Sequence, residues 1–163
     1  MNQFYSGRGG PFAPREFEES VIQINRISKK TKGGNQIRFS ALVVVGDKKG
    51  KVGAGLSKAP DVRSAIKKAI DSAKKNMIKV TLTGTTVPFS VFQKYSAAYV
   101  LIKPAPPGSG IIAGGPMRVV LELAGITDVV GKILGTKNKI SNVYATITGL
   151  SKISSMQERR REN

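Results

Sequence analysis

The sequence predicts an α+β protein of two small domains, and three observations carry that prediction. The first half of the chain reads as three strands followed by one amphipathic helix, closing near residue 79. The second half changes composition and mixes strand-like with helix-like segments. At 163 residues with 40% apolar content, the chain has room for two small cores and enough apolar side chains to fill them. The expected division is a disordered tail over 1–15, a β-β-β-α unit over 16–79, a β-α-β-α sandwich over 80–156 and a charged tail over 157–163. No internal repeat is visible.

Each element has its own justification. Residues 1–15 contain Gly7, Gly9, Gly10, Pro11 and Pro14, which punctuate any regular structure. Val21, Ile22, Ile24 and Ile27 mark a first strand with a partly polar outer face. A second strand over 37–45 is rich in β-branched residues and almost continuously apolar. Between them lies a basic, glycine-flexed loop, Lys29-Lys30-Thr31-Lys32-Gly33-Gly34-Asn35-Gln36-Ile37-Arg38. Gly46-Asp47-Lys48-Lys49-Gly50 makes a hairpin loop, and 51–56 returns as a third strand whose Gly53-Ala54-Gly55 signals a bulge or close backbone approach.

A helix follows. Pro60 suits its first turn, Ser57 or Asp61 its cap, and Val62, Ala65, Ile66, Ala69, Ile70 and Ala73 recur at helical spacing. Its opposite face carries Arg63, Lys67, Lys68, Lys74 and Lys75. One helix covers one face of a three-stranded sheet, which leaves the other face open to a partner. In the second half, strands are expected over 80–83, 87–95, 98–103 and 128–134. A helix opens at Gly115-Pro116, runs through Ala124 and stops at Gly125 as C′, and another spans 138–150. The stretch 104–110 is a loop that begins stiff and ends flexible.

Charge narrows the function. Basic residues outnumber acidic ones 27 to 10, a net +17, and through Lys79 the count is 17 to 6, leaving +6 for the remainder. Such a surplus calls for an anionic partner: nucleic acid, an anionic membrane surface or an acidic protein. The chain has no Cys and no His. That removes disulfides, zinc fingers, thiol nucleophiles and imidazole chemistry. No apolar run reaches the ~18 residues of a membrane span. Residues 1–15 lack the apolar core of a secretory signal and the periodicity of a transit helix, so a soluble cytosolic protein is expected.

A folded polyphosphate fits the basic glycine loop best. Lysines attract phosphates through screened charge, and glycines let backbone approach a rigid helix. Arg26, Lys29, Lys30, Lys32 and Arg38 are therefore expected on phosphates, with Gly33 and Gly34 permitting close contact. Lys48, Lys49 and Lys51, with Lys67 and Lys68 of the helix, extend the footprint to further turns of an A-form duplex. A lysine stripe is just as often a solvated face. Phe4, Tyr5, Phe12 and the two arginines of the tail can also dock on RNA, though plain solvation is the simpler reading.

No enzyme is expected. The glycine-rich stretch 108–116 before a helix loosely resembles the phosphate loop of small-molecule kinases, but no Gly-Lys-Ser/Thr follows it. Glu16, Glu18, Glu19, Asp47, Asp61, Asp71, Glu122 and Asp128 offer no converging pair for Mg²⁺, so no metal or cofactor is predicted. Asp47 reads as a turn former. Thr31, Ser57 and Ser109 read as loop or cap residues, and Phe89, Phe92, Tyr95 and Tyr99 as core rather than base-stacking platforms.

The stretches Asn25-Arg26-Ile27-Ser28-Lys29, Lys32-Gly33-Gly34, Val44-Val45-Gly46-Asp47 and Gly50-Lys51-Val52-Gly53 carry a resemblance. So do Pro104-Ala105, Gly108-Ser109-Gly110-Ile111-Ile112-Ala113-Gly114-Gly115 and Met117-Arg118. Together they make the chain, over 16–153, similar to small-subunit ribosomal protein five of bacterial type, whose N-terminal domain is double-stranded-RNA-binding-like. The resemblance implies a structural constituent of the small ribosomal subunit, ribosome-bound in a bacterial cytoplasm or a plastid. It implies binding of ribosomal RNA near the neck and decoding region, with the basic loop reaching toward the head where the family's spectinomycin-resistance changes occur. Small-subunit proteins four and eight are the implied protein partners. Gly110 and Arg118 match the motif of the interface with protein four, where decoding accuracy is influenced, and Arg26 with its neighbours matches the face lining the mRNA entry path. A free-standing double-stranded-RNA binder or RNA chaperone is the alternative, and a small-molecule phosphotransferase is a more distant one.

Overall fold

A computed structural model describes residues 17–162, and side chains through Arg160. The tail expected over 1–15 lies outside the described residues. The chain forms β1 (Glu18–Thr31), β2 (Gly34–Gly46), β3 (Lys51–Ala59), α1 (Val62–Lys75), β4 (Ile78–Lys79), β5 (Val91–Tyr95), β6 (Ala98–Pro104), β7 (Ile111–Ile112), α2 (Gly115–Leu123), β8 (Val129–Leu134) and α3 (Lys139–Glu162). Two four-stranded sheets result: an antiparallel one ordered β1-β2-β3-β4, and a mixed one ordered β5-β6-β8-β7 with β7 parallel to β8. The α+β class is as the sequence predicts, while β4 and β7, the latter inside the stretch expected as a glycine-rich loop, are not foreseen.

The first sheet corrects two expectations. The basic loop is not a loop over most of its length. Lys29, Lys30 and Thr31 belong to β1 and pair with Gln36, Asn35 and Gly34, so only Lys32 and Gly33 form the turn. Gly34, at φ +122°, takes the left-handed conformation that this tight reversal needs and glycine tolerates best. The sheet's second face is also not free. Ala41, Val43 and Val45 of β2 point to α1, while Leu42 and Val44, with Val52 and Ala54 of β3, join the core built by α2, α3 and the second sheet. A strand covered on both faces has no solvent side to keep polar, which is why Ala41 through Val45 run apolar without alternation.

α1 begins where Asp61 accepts hydrogen bonds from the N–H groups of Arg63 and Ser64, with Pro60 ahead of the cap and Ser57 buried within β3. Ala65, Ala69 and Ala73 form its buried stripe. Gly53 and Gly55 let it come close, because a Cβ at either would overlap the carbonyl oxygen of Ala73 or Ala69. Close backbone approach, not a bulge, is the reason for Gly53-Ala54-Gly55.

The crossing between domains is pinned rather than loose. Val80 N–H donates to Gly50 O (2.6 Å), Thr81 N–H to Ser154 Oγ (3.0 Å), and Ser154 Oγ–H to Lys79 O (3.1 Å). This pinning replaces the strand expected over 80–83, and the strand expected over 87–95 begins only at Val91, after Pro88. α3 passes the end foreseen at Leu150 and continues to Glu162, since no Gly or Pro interrupts 150–162. Among the described residues no helix is long and apolar enough to cross a membrane.

Candidate nucleic-acid interface

β1 and β2 outrun the rest of the first sheet. Every residue from Ser28 to Arg38 is exposed, and burial begins only at Phe39 and Ser40. At 3.4 Å per residue, the part of the hairpin beyond Phe39 projects about 17 Å. Cross-strand partners share a face, so the register divides the basic side chains. Arg26, opposite Phe39, and Lys30, opposite Asn35, lie on the α1 side of the sheet. Lys29, opposite Gln36, and Arg38, opposite Ile27, lie on the other side. Lys32 sits in the turn. The arm is therefore basic on both faces, and no carboxylate occurs between Glu19 and Asp47. A Cβ added at Gly33 or Gly34 would meet nothing within 4 Å, so the end of the arm is open to a ligand surface. Thr31 Oγ–H donates to Gly34 O (2.8 Å) and ties the reversal together.

The second basic turn, 46–50, is used differently. Lys48 N–H donates to Leu123 O (3.0 Å) and Gly50 N–H to Ala124 O (3.0 Å), so the turn supplies donors to carbonyls that α2 leaves unpaired at its C-terminus. Asp47 Oδ1 accepts from Lys49 N–H (2.7 Å) and Lys51 N–H (2.8 Å), the turn-forming role expected of it. The side chains of Lys48, Lys49 and Lys51 remain exposed. Lys48 Nζ is 2.8 Å from Glu18 Oε2, and Lys74 Nζ is 3.4 Å from Glu19 Oε1, so two of the surface lysines already face a carboxylate. Lys67 and Lys68 stand exposed on the outer side of α1.

Gly110 and Arg118 flank the entrance to α2. The loop before it is organised around a carboxylate of the chain itself. Asp128 Oδ1 accepts from Gly110 N–H (3.0 Å) and Asp128 Oδ2 from Thr127 Oγ1 (3.2 Å). The Gly110 N–H foremost, with the Thr85 and Thr127 hydroxyls and the Gly108 N–H, holds the Asp128 carboxyl below its usual range against the opposing effect of burial. The N–H groups that a phosphate loop would present to a ligand are thus turned inward. Ser109 Oγ–H donates to Pro106 O, as a loop residue does. Arg118 is exposed in the first turn of α2.

One expectation about the second domain is overturned. Phe92 is 54% exposed and Tyr95 43%, and Tyr99 is only half-buried, so of the four aromatics only Phe89 packs against the core as expected. Sequence reasoning had a usable signal. Phe92 and Lys94 alternate with Val91 and Gln93, and the position shared with a lysine is the outward one.

A two-domain protein with a doubly basic, carboxylate-free arm fits the class of RNA-binding proteins. Residues 17–81 match the family described as ribosomal protein S5, N-terminal domain, and residues 93–163 match ribosomal protein S5, C-terminal domain. The chain belongs to the ribosomal protein S5 family, whose members are structural constituents of the small ribosomal subunit and bind ribosomal RNA.

Proposed function

We propose that this chain holds ribosomal RNA near the neck and decoding region of the small subunit through the β1–β2 arm. Arg26, Lys29, Lys30, Lys32 and Arg38 meet phosphates on both sides of the arm, and Gly33 and Gly34 lie against the sugar-phosphate surface. Lys48, Lys49, Lys51, Lys67 and Lys68 widen the footprint from the base of the sheet, and Arg26 faces the mRNA entry path. Proteins four and eight of the small subunit are its protein neighbours. The loop holding Gly110, with Arg118, forms the contact with protein four that influences decoding accuracy. The site of action is the ribosome of a bacterial cytoplasm or of a plastid.

The observation that carries this reading is the uninterrupted exposure of residues 28–38 with cations on both faces and no acid. An arm that buries nothing of its own is marginally stable as a bare two-stranded hairpin, so an external surface is what would stabilise it.

The test is charge reversal at the arm. Lys29→Glu, Lys30→Glu and Lys32→Glu together remove about three phosphate contacts, so the log–log salt slope for RNA binding falls by about 2–3. The thermal midpoint should stay at the parent value because all three side chains are exposed. Unchanged binding in a filter assay with small-subunit RNA would sink the assignment. For the accuracy contact, Arg118→Glu should raise misreading in a stop-codon readthrough reporter while leaving RNA affinity intact. A variant that assembles and decodes like the parent removes Arg118 from the interface.

A further inference from the structure

Among the described residues, no helix covers the outer face of the second sheet. α3 packs against β5 and β6, and α2 lies on β8 where Gly131 leaves room for Met117, so both helices occupy the same, inner side. Register then fixes what faces outward. Phe92 of β5 and Tyr99 of β6 are diagonal neighbours there, with rings stacked at 5.7 Å between centroids and 21° between planes. Lys94 Nζ stands 5.2 Å from the Tyr99 centroid. Lys132 of β8 is directly opposite Leu101, and Lys103 of β6 is opposite Val130. At the far side Leu134 is 49% exposed and Ile112 57% exposed. None of the four strands contains Asp or Glu.

Two features decide what such a face takes. Lys103 and Lys132 are interleaved with apolar residues on the two central strands, and Lys94 stands beside Phe92 and Tyr99 on the β5 edge rather than on a polar rim. The cores of protein–protein interfaces are depleted in lysine, whereas single-stranded nucleic acid is held by aromatic faces and cations side by side. The carboxylate-free sheet is also complementary in charge to a polyanion.

We propose that this face is a platform for single-stranded RNA. A base stacks on the open side of Phe92, which Tyr99 backs, and phosphates of the same strand meet Lys103 and Lys132. Leu134 and Ile112 extend the apolar floor for sugars or a second base. The platform lies on the second domain and does not depend on the arm's assignment.

The experiment uses the full chain, with and without the Lys29→Glu, Lys30→Glu and Lys32→Glu changes so that the arm does not mask the platform. The probes are a fluorescein-labelled mixed-sequence RNA single strand and the corresponding duplex. Phe92→Leu and Tyr99→Leu keep the surface apolar and remove only the rings. Each should weaken single-strand binding about tenfold, the size of one lost base stack, and leave duplex binding unchanged. Lys103→Gln and Lys132→Gln together should lower the single-strand salt slope by about 1.4. This second set keeps the test valid if a ring variant fails to fold. Photo-crosslinks should map to peptides containing Phe92 or Tyr99. Single-strand affinity equal to the parent in both sets would overturn the proposal, as would crosslinks confined to 28–38. So would an assembled subunit in which crosslinking from Phe92 captures a protein instead of RNA.

Discussion

The two basic glycine turns of the first domain look alike in sequence and serve opposite purposes. Lys32-Gly33-Gly34 ends an arm where a Cβ on either glycine would meet nothing within 4 Å. Gly46 and Gly50, around Lys48 and Lys49, sit in a joint where backbone meets backbone. A Cβ on Gly46 would overlap the Leu123 carbonyl, and one on Gly125, at φ +86°, would overlap that of Lys48. Glycine at the arm's end leaves space for an external surface; glycine at the joint lets the two domains share one core. The same residue types mark a ligand site in one place and an internal contact in the other, and the difference lies in what the rest of the chain brings alongside.

The largest expected effect breaks that contrast directly. Gly125→Ala must enter a left-handed conformation and displace the Lys48 carbonyl, and Gly46→Ala must push away that of Leu123. Each should lower unfolding free energy by at least about 2 kcal/mol, from backbone strain and overpacking. Gly33→Ala meets open space and should stay within about 0.5 kcal/mol of the parent. Urea unfolding of the three variants measures this. Equal losses at Gly33 and Gly125 would mean that the arm, too, is packed against the protein.

The reason sequence did not separate these turns is physical. Local composition reports what a turn needs, a tight reversal with φ > 0 at one or two residues, and both turns need that. Which one is buried depends on α2, some 75 residues downstream. A partial signal was present in β2. The unbroken run Ala41-Leu42-Val43-Val44-Val45 already required cover on both faces, so a free second face contradicted the sequence's own pattern. The arm's cations were legible because no acid interrupts them. Their division between two faces was not, because a single inserted residue resets the alternation. The register shift between Val21 and Gln23 is such a reset, leaving Ile22 against the core. The outer face of the second sheet, which no described helix covers, was obscured by the prior that aromatics in strands are buried.

The glycine loop 108–110 has open space around its glycines, as the arm's end has, yet Asp128 holds the Gly110 N–H inward, and pH exposes that hold. The Asp128 carboxyl has its folded-state pKa below the ordinary aspartate value of 3.8. Where the folded value is depressed, the unfolded state binds more protons between the two values, so stability rises with pH there. The contribution of Asp128 is fully present above about 3.8 and is lost as pH falls through the lower folded value. Asp128→Asn should flatten this part of the acid limb of a thermal-midpoint profile and loosen the Gly110 amide in hydrogen exchange. An acid limb identical in parent and variant would show that the carboxylate does not hold the loop.

The smallest effect concerns Lys48, whose φ of 55° is unusual for a residue with a Cβ. Its ion pair with Glu18 is exposed on both sides, so that pair contributes about 0–1 kcal/mol. Lys48→Ala and Lys48→Gly both delete the pair, and they differ in the backbone alone. Glycine should then be the more stable replacement by about 1 kcal/mol, because it alone occupies the left-handed region without penalty. That order inverts at Lys30, which lies in a strand, where glycine should be the worse of the two. If alanine is the better replacement at both positions, the turn relaxes out of its left-handed geometry. The joint would then rest on side-chain packing across the shared core instead of on the paired backbone of 46–50.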